Sequence, residues 1–115
     1  MKFSFFLEKI QNFLNTGYLD IPGKECQVLG MVPRLVLACS LFERESYKNI
    51  ENVSAEQYRS FCRMFTSALV SVSLSEFNSS ISSLDFKSRD LLLRGIEYSS
   101  KEFSSLDLSN YSKLL

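Results

Sequence analysis

The chain has 115 residues, of which 45% are hydrophobic and 23% are charged. This composition is typical of one globular domain and excludes a disordered chain. The formal net charge is +0, so the chain lacks the basic excess that duplex nucleic-acid binding requires. We therefore expect a single domain over residues 1–115, with a core built around its 10 Phe side chains.

The N-terminal segment begins like a signal peptide, but Glu8 and Lys9 interrupt its apolar run and no small-residue cleavage site follows. No stretch reaches the roughly 18 apolar residues of a membrane span. We therefore expect an uncleaved cytoplasmic protein. A first amphipathic helix is predicted from about Ser4 to Asn15, with Ser4 as N-cap and Gly17 as its stop. Its apolar positions recur at helical spacing: Phe3, Phe6, Leu7, Ile10, Phe13 and Leu14.

The stretch from Glu25 to Glu45 is the most apolar part of the chain and is predicted to be the central, most buried element. A turn signal, Asp20-Ile21-Pro22-Gly23, precedes it. Pro33 lies inside the stretch and cannot donate a helical hydrogen bond. We therefore expect a short helix before Met31 and a second helix that opens with Pro33 in its first turn.

The next helix has the clearest local signal. Ser54 and Gln57 form a capping box, and Val53 and Tyr58 occupy the positions of a hydrophobic staple. The helical pattern continues from Tyr58 into a serine-rich stretch, residues 71–83, which we interpret as helix with its break at 78–80. The alternation of apolar residues and serines over residues 70–75 leaves a strand as the alternative.

A last long helix is predicted to begin near Leu84 or Asp85, and Gly95 in its middle indicates close approach of another helix. The tail after Ser104 either docks or frays. Three acid-to-base pairs at i, i+4 are expected on the exposed face: Asp85–Arg89, Asp90–Arg94 and Glu97–Lys101. The buried side is predicted to comprise Phe86, Leu92, Leu93, Ile96 and Phe103. The predicted fold is all-α, a compact bundle of four to five helices.

Chemistry-bearing groups are scarce. The chain has no histidine, the commonest general base and zinc ligand, and it has no phosphate-binding or nucleophile motif. Cys39 and Cys62 fall in apolar helical patterns, which predicts buried thiols in a reducing compartment. Cys26 lies in a polar context and is the most plausible reactive thiol, but no histidine is present to activate it. We therefore predict no enzyme activity, no cofactor and no metal site.

Two regions have the make-up of a protein-binding surface. The loop that begins at Tyr18 places apolar residues beside an aromatic ring and an acid. The segment from Glu43 to Glu56 holds four acidic and two basic residues around Tyr47, which suits a basic partner. The predicted partner-binding residues are Tyr18, Asp20, Glu43, Glu45, Tyr47 and Glu51.

The start Met1-Lys2-Phe3-Ser4-Phe5-Phe6, the Phe- and Ser-rich helices and the lack of a catalytic constellation resemble the small helical immunity proteins of bacterial contact-dependent growth inhibition and other polymorphic toxin systems. The resemblance implies a cytoplasmic protein that neutralises a cognate toxin, such as a nuclease, by occluding its active site. Its partner would then be another protein, not a nucleic acid or a membrane, and the chain itself a monomer or weak dimer.

Two alternatives stay open at this point. One is a helical adaptor, chaperone or phage-type regulator that self-associates through the apolar stretch around Leu35 to Phe42, or that binds an apolar peptide. The other is a regulator that binds a small ligand or nucleic acid, against which the zero net charge counts.

Overall fold

A computed structural model describes residues 3–18, 29–48 and 53–115, and within these ranges the secondary structure is entirely helical. The six helices are α1 (Phe3–Thr16), α2 (Met31–Lys48), α3 (Ala55–Val70), α4 (Leu74–Ile81), α5 (Phe86–Glu102) and α6 (Ser109–Ser112). Helices α2 and α3 contact each other, and each also contacts both α1 and α5. The short α4 and α6 pack against each other, α4 against α2 and α6 against α5. The predicted all-α helical bundle is confirmed, and α2 shares its centre with α3.

The ends of α1 differ in how well they were predicted. The helix already includes Phe3, so Ser4 lies exposed in its first turn and is not the N-cap. The predicted stop is confirmed, because Gly17 has a positive φ of 74° and its N–H donates to the Phe13 carbonyl at 2.7 Å. The predicted turn at 20–23 lies outside the described residues.

Arg34 fastens the end of α1 to the start of α2. Its guanidinium donates to the carbonyls of Leu14 at 3.2 Å and of Leu29 at 2.7 Å. The same group lies so close to Gly17 that a Cβ there would fall 2.4 Å from Nη2. α2 begins at Met31 with Pro33 in its first turn, as predicted. The short helix expected before Met31 falls largely on residues outside the described ranges.

The capping box that opens α3 is confirmed. Ser54 Oγ accepts from the Gln57 N–H at 3.1 Å, and Gln57 Oε1 accepts from the Ser54 N–H at 3.0 Å. Helix α3 then ends at Val70, where the prediction continued it.

The serine-rich stretch is helical, but its break was misplaced. The chain leaves the helix over residues 71–73, and the predicted break at 78–80 lies inside α4. Two serines account for this. The Ser71 hydroxyl donates to the Ala68 carbonyl at 2.6 Å, and the Ser73 hydroxyl accepts from the Glu76 N–H as the N-cap of α4. Serine hydroxyls compete with helical hydrogen bonds in this way. The spacing of apolar residues gives no sign of this competition.

Phe86 was predicted to be buried and is 86% exposed. Asp85 is the N-cap of α5 and accepts from the Ser88 N–H at 2.8 Å, so Phe86 is the first helical residue. Leu92 follows Phe86 by six residues, so Phe86 points about 120° away from the buried side of the helix.

The predicted ion pair between Asp85 and Arg89 is wrong. Asp85 caps the helix, and Arg89 donates to the Ile81 carbonyl instead. Of the three predicted pairs, all within described residues, Asp90–Arg94 is the one that forms an ion pair.

Several other predictions are confirmed, whereas Leu93 and Phe103, predicted on the buried side of the last helix, are only half-buried. Leu92 and Ile96 are buried, and a Cβ on Gly95 would lie 2.7 Å from both Cys39 Sγ and Phe65 Cζ, so α5 approaches α2 and α3 closely. Cys39 and Cys62 are buried free thiols. The tail docks: Leu108 is buried, and the Tyr111 hydroxyl donates to the Val72 carbonyl at 2.8 Å.

Candidate functional site

Aromatic rings run from the centre of the bundle to its surface. Phe42 of α2 stacks on Phe61 of α3 with ring centroids 3.9 Å apart and an interplanar angle of 7°. Phe42 also contacts Tyr58, at 6.1 Å, and Tyr58 meets Tyr98 of α5 edge-on at 5.8 Å and 66°. Phe42 is buried, whereas Tyr58 and Tyr98 are half-buried, so the ring system opens to solvent at these tyrosines.

The surface at this point is a groove of about 490 Å³, here called the aromatic groove, between the end of α2, the start of α3 and α5. The capping box of α3 builds one wall, because it fixes the direction in which the chain enters that helix. The groove is lined by Phe42, Glu43, Ser46, Tyr47, Val53, Ser54, Ala55, Tyr58 and Tyr98.

Glu43 at the groove is held by a guanidinium from α5. Arg94 Nε donates to Glu43 Oε1 at 2.8 Å and Arg94 Nη2 to Oε2 at 2.9 Å, a two-pronged pair. Arg94 Nη1 also donates to Asp90, one turn earlier on α5. The hydrogen bonds to Glu43 raise the pKa of Arg94, which is therefore charged at any ordinary pH. Two carboxylates on one guanidinium leave one negative charge in excess.

A second groove of about 430 Å³, here called the basic groove, lies on the other side of Tyr47. Glu43 and Tyr47 line both grooves, and α5 contributes the remaining wall. The basic groove has three cationic side chains against one acid, and it is lined by Ser40, Glu43, Arg44, Tyr47, Lys87, Leu91 and Arg94. Tyr47, 87% exposed, stands between the two grooves.

The phenols and thiols near the aromatic groove keep their protons near neutral pH. Burial raises the pKa of Tyr58 and of Tyr98, so both phenols stay neutral at ordinary pH. Burial also raises the pKa of the Cys39 thiol, and it raises that of Cys62 to about 11, so neither is a nucleophilic thiolate near neutrality. Among the described residues there is no cluster of acids and thiols that could hold a metal ion. The arrangement is suited to recognition through rings and charges.

The predicted partner-binding residues do not form one surface. Glu43 and Tyr47 lie together on α2, and Glu45 is half-buried on the same helix. Tyr18 is exposed just after the end of α1, and that end is held to α2 by Arg34, nine residues before Glu43. Asp20 and Glu51 lie outside the described residues.

Three groups of the site were absent from the predicted set: Tyr58, Arg94 and Tyr98. Tyr58 was interpreted as half of a hydrophobic staple and Arg94 as half of a surface pair within one helix. No local pattern marks any of them as neighbours of Glu43, because they come from other helices up to 55 residues away. Helical spacing predicts which residues share a face of one helix, but it does not predict which helix packs against that face.

Within the described ranges, none of the helices is both long and apolar enough for a membrane crossing. Comparison of the chain with protein-family models, with curated proteins and with solved structures finds no match.

Proposed function

We propose that the chain is a protein-binding module that neutralises a cognate toxin, as an immunity protein, by covering the toxin's active site or substrate groove. The contact surface would be the ridge at Tyr47 together with the aromatic and basic grooves on its two sides.

The observation that supports this is the setting of Tyr47. It is an almost fully exposed ring on an 18-residue helix, and Glu43, one turn before it, is fixed by Arg94 from another helix. Aromatic anchors that are presented by rigid elements dominate the energetics of many protein interfaces, because little conformational entropy is lost when they bind. A soluble chain gains nothing in folding free energy from such an exposed ring.

The experiment pairs the chain with the protein encoded directly upstream in its genome. The upstream product is expressed alone and together with the chain, growth is recorded, and the complex is isolated by affinity capture and size exclusion with light scattering. We expect growth inhibition by the upstream product, rescue by the chain and a stoichiometric complex. A harmless upstream product that does not bind would refute the immunity role.

Tyr47→Ala is the sharpest test of the surface, since removal of an exposed ring leaves folding intact. We expect it to weaken the complex by at least about 2 kcal/mol, a factor of roughly 30 in Kd. Phe86→Ala is the matched control: its ring is 86% exposed but lines neither groove. Charge reversal at Glu43 and Glu45 is expected to weaken binding further if the toxin surface is basic. Full affinity in Tyr47→Ala would show that the surface lies elsewhere.

The alternative of an adaptor or regulator that self-associates is separated by the same light-scattering measurement. The stretch proposed for self-association is largely occupied by the fold: Leu35, Ala38, Cys39 and Phe42 are buried, while Val36, Leu37 and Leu41 remain half-buried. The adaptor would be favoured if the chain forms a concentration-dependent dimer that Leu37→Glu abolishes, and if the chain does not bind the upstream gene product.

A further inference from the structure

The aromatic groove has the composition of a site for an organic cation. Of the nine described residues that line it, only Glu43 is charged, and four contribute aromatic rings. The faces of aromatic rings carry negative electrostatic potential and attract ammonium and guanidinium groups placed over them.

The rings are arranged as walls. Tyr58 and Tyr98 meet at 66°, and Phe42 lies against Tyr58 at 53°, so the three rings face different directions around the same space. Burial raises the pKa of Tyr58 and of Tyr98, so both side chains remain neutral phenols across the physiological pH range. Tyr47 supplies a fourth ring at the mouth.

The local charge also favours a cation. Glu43 brings a carboxylate to the groove, and the Arg94 guanidinium that binds it is shared with Asp90. Arg94 lines the basic groove and not the aromatic one, although its charge is near enough to act on the Tyr98 phenol. Among the described lining residues, the basic groove sets three cations beside the shared Glu43, whereas the aromatic groove has none, so a cation at the Tyr47 ridge is favoured on the aromatic side.

From this geometry we infer that the aromatic groove binds an arginine side chain presented by a basic face of the protein partner. The planar guanidinium stacks on Tyr58 or Tyr98 and directs a hydrogen bond to an outer lone pair of the Glu43 carboxylate. The inference rests on the proposed function for its choice of a protein partner, and the chemistry of the groove can be measured without that partner.

The test is an NMR titration of the chain labelled with 13C in its 5 tyrosine rings. The probes are N-acetyl-arginine methylamide and its citrulline analogue, which has nearly the same shape but no charge. We expect saturable shifts of the Tyr47, Tyr58 and Tyr98 signals with the arginine probe, and binding about 5-fold or more weaker with citrulline. The Tyr18 and Tyr111 rings do not line the groove and serve as internal controls.

Variants separate ring faces from hydroxyl groups. Tyr98→Phe keeps the face and is expected to bind within about 2-fold of wild type, whereas Tyr98→Leu loses about 3- to 30-fold. Tyr47→Leu, at an exposed position, gives the same comparison if Tyr98→Leu unfolds. Equal binding of both probes, or no shift with either, overturns the inference. Arginine binding without toxin binding leaves the groove chemistry standing and refutes the immunity role, and the reverse result refutes the groove chemistry alone.

Discussion

Gly95 marks a close approach of α5 to α2 and α3. It lies in the middle of α5, where glycine costs about 1 kcal/mol relative to alanine. The space explains its presence: a Cβ would meet Cys39 of α2 and Phe65 of α3, each at 2.7 Å. The backbone of α5 thus fills a position that a side chain would otherwise take, and α5 packs directly on the central helix pair.

Gly95→Ala is therefore expected to destabilise the protein despite the better helix propensity of alanine. Overpacking of this kind costs about 1–3 kcal/mol and the better helix propensity offsets about 1 kcal/mol of it, so the free energy of unfolding should fall by up to about 2 kcal/mol. Urea denaturation followed by circular dichroism measures it. Glu97→Ala, exposed on the same helix, is the control and should stay within about 0.5 kcal/mol of wild type.

A double variant tests the stated cause. Cys39→Ala removes the Sγ atom that the new Cβ would strike, so Gly95→Ala should cost less in that background, with a coupling of about 0.5 kcal/mol or more. Strict additivity of the two substitutions would show that the thiol is not what excludes a side chain at Gly95.

Among the elements, the last twelve residues are held by contacts that the sequence left undecided. The hydroxyl of Tyr111 donates to the Val72 carbonyl at 2.8 Å, in the segment between α3 and α4. The Tyr111 ring meets Phe77 of α4 edge-on at 5.2 Å. The C-terminal segment thereby covers the point at which the helical pattern breaks, and it supplies a partner for a carbonyl that the end of α3 leaves free.

Tyr111→Phe should cost about 1 kcal/mol, because the Val72 carbonyl loses a hydrogen bond while the ring contact remains. Tyr111→Ala should cost more, since it removes both. Thermal unfolding gives the stabilities, and amide hydrogen exchange gives the location. We expect faster exchange in α4 for both variants, and unchanged exchange there would mean that the tail does not secure that helix.

The elements also show why some predictions from the sequence succeeded. The capping box at Ser54 and the stop at Gly17 depend on hydrogen bonds between residues three or four positions apart, so the local sequence contains the whole cause. The break at 71–73 depends on the hydroxyl–backbone hydrogen bonds of Ser71 and Ser73, which the apolar pattern does not reveal because serine also occurs inside helices.

The sequence predicted only those parts of the candidate site that lie on a single helix. Glu43 and Tyr47 are one turn apart on α2, and spacing alone places them together. Their interpretation as part of an acidic segment facing a basic partner did not anticipate Arg94, which binds both oxygens of Glu43 from 51 residues away. Contacts of that separation depend on how helices pack and leave no periodic trace in the sequence.

At the scale of the whole molecule, α5 is fastened to the central pair at two places. Arg94 pairs with Glu43 of α2, and Glu102 pairs with Arg59 of α3 at 2.6 Å. Exposed ion pairs contribute little to the free energy of unfolding. These two pairs therefore set the position of α5 along α2 and α3 and add little to its stability. Burial of rings and thiols between the helices supplies the stability, and those groups have a characteristic response to pH.

The buried thiols and phenols predict a loss of stability at alkaline pH. The pKa of Cys62 rises from an ordinary 9.0 to about 11 in the folded chain because burial disfavours the thiolate, and burial likewise raises the pKa of Cys39, Tyr58 and Tyr98. Above pH 9 the unfolded chain releases these protons while the folded chain retains them. The unfolded state then binds fewer protons, so the free energy of unfolding falls as pH rises.

For Cys62 this loss should extend from about pH 9 to about pH 11, with a slope of at most about 1.4 kcal/mol per pH unit. Urea denaturation at half-unit intervals from pH 7 to 11 measures the whole dependence, and the same series on Cys62→Ala isolates one thiol. We expect Cys62→Ala to be less stable at pH 7, because it leaves a cavity, yet to lose stability less steeply above pH 9. Parallel curves for the two proteins would mean that Cys62 titrates alike in the folded and unfolded chains, and the burial of its thiol between the helices would then not be what makes the fold sensitive to base.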